Sequence, residues 1–452
     1  YRKKFFLKKN NLHPDYFMYF QTKPFLLRLF YFYIKELNMN TDLLRHKLKE
    51  RFCRYAEIWT TSDSSAADNG ILPSTPRQLN LAKVLVDELK TMGIDNAEIS
   101  ADGYVTASIP ATFGNDSILL CAHLDTSEDV SGENVTVQLH ENYSGTPIYL
   151  KNEIVLNPEN NPQLSACANT ADTIITSDGS TLLGADDKAG ISAIMTATEY
   201  LLAHPEIPHC KLELLFTPDE ETGHGMDKVP LDKIKSKIGY TVDGGDSSEI
   251  EAECFNAYSV SVDFIGIAMH FGYAKGKMQN AVIMASNFIQ LLPRNESPEA
   301  TDGYDGYYCA TNITGNVEAA HVDIILRDFS TAEIERRIAT LKTFAQCIES
   351  QFPGGKVILN IRKQYSNMKE EIDRFPEVLE NLKQAVKNAG GNSELSPIRG
   401  GTDGSRLTEL GIPTPNIFTG GHNFHSRQEW LSLNQLELSC KTLIELAKLY
   451  AR

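Results

Sequence analysis

The stretch SILLCAHLDT, residues 117–126, decides how this chain is read. A short unbroken apolar run closed by polar residues is the pattern of a strand covered on both faces. Such a strand delivers its last side chains at the edge of a sheet. Side chains two apart on a strand share a face, so His123 and Asp125 arrive together. A metal-bound histidine usually gives its second ring N–H to a carboxylate or a carbonyl, and Asp125 is near enough to serve. The plainer reading is a capped strand end. The same spacing recurs in His321-Val322-Asp323, inside an alternating strand, where we read it as structural.

Four more stretches in chain order end in potential ligands: LLGADDKAG (182–190), FTPDEETG (216–223), VDGG (242–245) and NFHSRQEW (423–430). Asp186 and Asp187 open a helix. Helix capping needs only one of them, which leaves the other for a metal. Glu220 and Glu221 follow a strand and Pro218. Neighbours in an extended segment face opposite ways, so one can bind metal while the other addresses a water. Asp243 ends a strand before a tight glycine turn. His425 sits three residues after His422, and spacing does not decide between them. Imidazole and carboxylate ligands together suit zinc, cobalt or manganese. The set is large enough for two ions with a base to spare, which makes a hydrolase the first expectation.

Strands alternate with helices around these stretches: a helix over 41–58, another from about 76 to 92, strands 117–126, 211–217 and 239–245, and a helix over 189–202. This predicts an α/β fold, a mixed-sheet catalytic domain with helices on both faces and ligands at the carboxyl edge. From about 256 the pattern changes to alternating strands over 258–266, 318–329 and 356–367, separated by helices. We read 256–367 as an inserted α+β lid domain with an antiparallel sheet, and 39–255 with 368–452 as the catalytic domain.

At 452 residues two or three domains are expected. The net charge of −16 argues against nucleic acid or an anionic membrane as partner. The eight cysteines are scattered, with no CxxC pair, and read as reduced core residues. Residues 1–38 form a basic, aromatic leader with no apolar run long enough to span a bilayer. Met39 is the expected start, with the leader an upstream artefact. A membrane-surface anchor is the alternative. A cytoplasmic enzyme is expected.

Eight stretches carry a closer likeness: AHLDTSEDVSGENV, TLLGADDKAGI, FTPDEETGHG, YTVDGG, AKGKMQNA, IILRDF, IRGGTDGSRL and PNIFTGG. With them the chain from about Met39 to Arg452 closely resembles the tripeptide aminopeptidases of the di-zinc metallopeptidase family that also holds dipeptidases, acylases and carboxypeptidases. The resemblance implies two Zn2+ ions bridged by Asp186. His123 and Asp243 would complete one site, Glu221 and His425 the other. It implies Glu220 as general base for a water shared by the ions, and Asp125 as the partner of His123. On the lid it implies His270 at the developing oxyanion, with Arg327 and Arg399 near the substrate carboxylate. The family's usual His-Pro-Gly turn is His270-Phe271-Gly272 here, which loosens the turn that proline would preset. Tripeptides are the expected partners, and a homodimer is left open. The rivals are a dipeptidase, carboxypeptidase or N-acyl amino acid hydrolase on the same scaffold, or a silent peptide-binding protein.

Overall fold

The computed structural model describes residues 42–452; the leader read over 1–38 and the start at Met39 lie outside them. Eight strands form one mixed sheet, in the order Glu98–Ile99, Val105–Ile109, Lys211–Thr217, Ser117–His123, Gly239–Gly244, Asn416–Phe418, Glu249–Cys254 and Glu394–Ile398. The four from Lys211–Thr217 to Asn416–Phe418 run parallel, so their carboxyl ends open on one edge. Ser117–His123 has a parallel partner on each side, which explains its unbroken apolar reading.

Both faces of that strand are covered. Ile118, Leu120 and Ala122 enter the main core, shared with the helices 42–56, Gln78–Thr91, Ala185–Ala203, Pro376–Ala389 and Leu433–Leu449. Leu119 and Cys121 enter a smaller core on the other face with Leu215, Met226 and Leu407, the last from the Asp403–Glu409 helix. Ile118, Leu119 and Leu120 are buried, and each contributes roughly 1.5–3 kcal/mol. A single hydrogen bond at the strand tip is worth about 1 kcal/mol. Packing therefore fixes where His123 stands. The Ala185–Ala203 helix closes on the Gly239–Gly244 strand through Gly190, where a Cβ would overlap the Val242 carbonyl oxygen and the Asp187 carboxylate.

Residues 256–365 build a separate antiparallel sheet in the order Tyr307–Gly315, Ala319–Asp328, Asn256–Ile265 and Lys356–Tyr365. The Ala281–Gln290 and Thr331–Gln351 helices cover one face of it, over Val260, Val262, Phe264, Val322, Ile324 and Leu326. Sequence patterning found three of the four strands. It missed Tyr307–Gly315, whose outer half is exposed and so carries no apolar alternation. A further small sheet pairs Gly421–His422, Trp430–Ser432, Ile174–Thr176 and Gln138–His140. It joins the chain ahead of Asp186 to the loop that carries His425. All eight cysteines are free, five of them buried. Among the described residues no helix is long and apolar enough to cross a membrane.

Candidate metal centre and active site

His123 is the last residue of its strand, level with Thr217 on the neighbouring one. Its Nε2 lies 2.8 Å from Asp186 Oδ1 and 3.5 Å from Asp243 Oδ1. Its Nδ1 is 3.0 Å from the backbone carbonyl of Asp125 and 3.5 Å from that residue's carboxylate. The closer partner of the ring is thus the Asp125 main chain. The Asp125 carboxylate has other contacts: Oδ1 accepts from the Glu220 N–H at 3.0 Å and Oδ2 from the Glu221 N–H at 3.2 Å. One buried aspartate braces both the histidine and the Glu220–Glu221 backbone.

Asp186 and Asp187 divide their work. Both have non-helical backbone angles, so the regular helix begins beyond them. Asp187 Oδ1 accepts from the Gly190 N–H at 3.1 Å and Oδ2 from the His123 N–H at 3.2 Å. It caps the helix, and its two oxygens are engaged. Asp186 turns its carboxylate the other way, with Oδ1 on His123 and Oδ2 3.3 Å from His425 Nε2. One carboxylate spans two imidazoles, one oxygen to each.

His425 Nε2 also lies 2.9 Å from Glu221 Oε2, and its Nδ1 is 3.2 Å from Asp129 Oδ2. His422 lies elsewhere. Its ring stacks on Trp430 with centroids 4.0 Å apart and faces Asp246 at 3.7 Å. The Glu220–Glu221 turn begins at Asp219, whose φ is +56°. The Asp219 carboxylate accepts from the Ser74 N–H and the Gln78 side chain, each at 2.6 Å, and from the Ser74 hydroxyl. Behind the turn Thr217 donates to the buried Asp403 carboxylate.

The electrostatics follow from crowding acids in a buried space. Burial raises Glu220 well above its usual range, Glu221 to about 8 and Asp243 to about 6. His425 is raised to about 11 by its bonds to Asp186 and Glu221. Burial would depress His123, but Asp243, Asp125 and Asp186 outweigh it and hold it well above its ordinary value. Asp186, Glu220, Glu221 and Asp243 with two neutral imidazoles carry a formal charge of four negatives. Two divalent cations would balance them, and would reverse the proton uptake as they bind. Ligand atoms of His123, Asp186 and Glu221 lie within 4.8 Å of one another, as do those of His123, Asp187 and Asp243. Glu221 Oε1 is buried and makes no hydrogen bond. The donor set therefore fits metal ions.

The three residues expected at the substrate, Arg327 and His270 on the lid and Arg399 on the catalytic domain, are placed less uniformly. Arg327 is half-buried on the face of the lid sheet away from the helices. It donates to the carbonyls of Leu326 at 3.0 Å and Tyr258 at 3.3 Å. Asp328 points to the opposite face, where it pairs with Arg337. Among the described residues Arg327 makes no ion pair. Its guanidinium carbon sits 5.8 Å from the Tyr365 ring centroid. Burial chiefly raises the Tyr365 phenol, while the charge of Arg327 lowers it and that of Glu220 raises it. Arg399 donates to the carbonyls of Gly303, Asp305 and Thr301, at 2.8, 2.9 and 3.5 Å, which fastens the catalytic domain to a lid loop. His270 is exposed; it accepts from the Gly272 N–H and packs on Tyr273, apart from the cage.

Sequence reasoning passed over Asp129, Asp219, Asp403 and Glu429, although each stands inside a stretch already singled out. For Asp219, Asp403 and Glu429 the missing signal was burial; Asp129 is exposed and marked only by its contact with the distant His425. Tyr365 had no signal at all.

Known proteins resemble this chain in sequence and in fold. Residues 182–449 match the model of peptidase family M20/M25/M40. The chain is 43% identical over 411 residues to peptidase T of a Geobacillus strain, covering 90% of this chain and 99% of that protein. Its fold is similar to that of aminopeptidase PepT from Bacillus cereus, with a TM-score of 0.67 and 21% identity over 90% of this chain and 99% of that one. It is also similar to the Bacillus subtilis YXEP protein, a dinuclear metal-binding peptidase, with a TM-score of 0.61 and 13% identity over 90% and 98% of the two chains.

Proposed function

The chain belongs to peptidase family M20/M25/M40 and is a hydrolase of peptide bonds; from that premise we propose that it releases the N-terminal residue of tripeptides at a two-metal centre. The observation that carries the reading is Asp186, with one carboxylate oxygen toward each of two histidines. Glu220 lies beside that group without bonding to either imidazole.

His123, Asp186 and Asp243 would hold one ion, and Asp186, Glu221 and His425 the other, with zinc the proposed metal and cobalt or manganese able to substitute. When bound, such ions polarise the scissile carbonyl and acidify a water. Glu220 takes the proton of the attacking water and returns it to the leaving amine. Asp125 keeps Glu220 in place by holding its backbone N–H. Arg327 is proposed to receive the C-terminal carboxylate of the peptide. Arg399 is spent on lid carbonyls, so its contribution is to hold the lid loop. His270 would reach the oxyanion only on closure of the lid. A cytoplasmic location is proposed on the same footing.

Purified protein assayed on Leu-Gly-Gly, Leu-Gly, a tetrapeptide and N-acetyl-leucine, with metal content measured, tests the reading. Turnover of the tripeptide well above the rest, lost on verified chelation and restored by zinc, is the expected result. Preference for N-acetyl-leucine or for the dipeptide would reject it, and so would an unchanged rate after the metal is removed.

A further inference from the structure

Glu429 is almost completely buried, four residues beyond His425, and has no role in the chemistry above. Its carboxylate accepts three main-chain hydrogen bonds: Oε2 from the Leu183 N–H at 2.7 Å and the Gly184 N–H at 2.8 Å, and Oε1 from the Asp186 N–H at 3.2 Å. Those amides belong to the loop that carries the proposed bridging ligand. That loop has no local means of satisfying them. Gly184 is left-handed, with φ of +80°, and has no side chain to cap the helix, and Asp186 has non-helical backbone angles. The Asp187 carboxylate, the nearest alternative, is occupied by Gly190 and His123.

The same carboxylate stands on the second ligand's loop. The chain reaches Glu429 directly after His425, and enters the strand Trp430–Ser432, which pairs with Ile174–Thr176. That partner strand leads into the Asp186 loop. The small sheet therefore brings the two loops side by side, and Glu429 closes the gap at their tips.

We propose that Glu429 is a positioning residue: it fixes the Asp186 and His425 loops relative to each other and so sets the metal site that Asp186, Glu221 and His425 form. This rests on the two-metal reading above. Asp186 is free for metal because a remote carboxylate, in place of its own, satisfies the amides around it. A neutral glutamine keeps the shape of Glu429, but all three partners are N–H donors, and its NH2 group can accept from none of them. One or more of these bonds must then be lost.

The test is a cobalt titration of metal-free wild type, E429Q and H425A, followed by equilibrium dialysis and by the visible spectrum of the bound ion. Wild type should take up two cobalt ions. E429Q should bind one of them at least 10-fold more weakly, with an altered spectrum at the site that H425A also loses. Two ions at wild-type affinity with an unchanged spectrum would overturn the proposal. A wild type that binds no cobalt would overturn the two-metal reading and this proposal with it, a result distinct from the previous one. A second measurement needs no variant: amide hydrogen exchange of wild type with and without metal. The Leu183, Gly184 and Asp186 amides should stay protected in the metal-free protein. If they exchange freely until metal is added, the ion and not Glu429 orders the loop.

Discussion

Glu220 and Glu221 are neighbours in sequence with different surroundings. Glu221 meets His425, whereas Glu220 has no hydrogen bond or ion pair to either histidine, and its backbone N–H is held by Asp125. E220Q should therefore keep both metals and lose the roughly 10²–10⁴-fold in kcat that a general base supplies. Loss of metal in E220Q but not in E221Q would mean that the two roles are reversed. His422 offers a separate test. Burial depresses its imidazole from 6.5 to about 4, against the pull of Asp246. The unfolded chain binds that proton at higher pH than the folded one, so stability is lost as pH falls from about 6.5 toward 4. The loss is about 3 kcal/mol at most. In the presence of chelator, H422F should show a smaller fall in Tm between pH 7 and pH 5 than wild type. An equal fall would show that His422 is not the group responsible.

At the scale of elements, the centre is made where strand ends and one helix start coincide. The parallel strands Ser117–His123 and Gly239–Gly244 bring His123 and Asp243 to one edge. The Ala185–Ala203 helix can bring Asp186 to the same edge only by lying close on the sheet. Gly190 permits that approach, since any side chain there would enter the Val242 carbonyl and the Asp187 cap. G190A should push the helix outward, costing roughly 1–3 kcal/mol or more in stability, and should weaken metal binding as well. Urea unfolding and metal stoichiometry measure the two effects. A stable G190A with full metal content would show that the helix can shift without moving Asp186.

At the scale of the whole molecule, Arg399 ties the catalytic domain to a loop of the 256–365 unit through the carbonyls of Gly303 and Asp305. Arg327 lies across the strands from Tyr307, Ala257 and Tyr365, at the end of the lid next to the catalytic domain. With Asp328 committed to Arg337, Arg327 makes no ion pair among the described residues, and it is the proposed receiver of the peptide's C-terminal carboxylate. A charge-assisted hydrogen bond is worth roughly 1.5–3 kcal/mol, about 10–150-fold in kcat/KM. R327A should lose that much on a tripeptide with a free carboxylate and far less on its C-terminal amide, which wild type should already handle poorly. Equal losses on the two peptides would mean that Arg327 supports the lid and that another group measures peptide length.

Strand ends, helix starts and the ligand types were legible in one dimension, because each depends on neighbours a few residues away. The apolar run before His123 and the Asp186-Asp187 pair are local patterns. So is the change to alternating strands near 256. Spacing left His422 and His425 open and the family resemblance pointed to His425, which in the folded chain meets Asp186 while His422 stacks on Trp430. Two matters were decided only by the folded chain. The Asp125 carboxylate braces the Glu220–Glu221 backbone more closely than it does the His123 ring. Glu429 serves a loop more than 240 residues before it in the chain. Hydrogen-bond partners that lie far apart in sequence leave no periodicity to read, and the burial of Asp125 and Glu429 is a property of the packed whole.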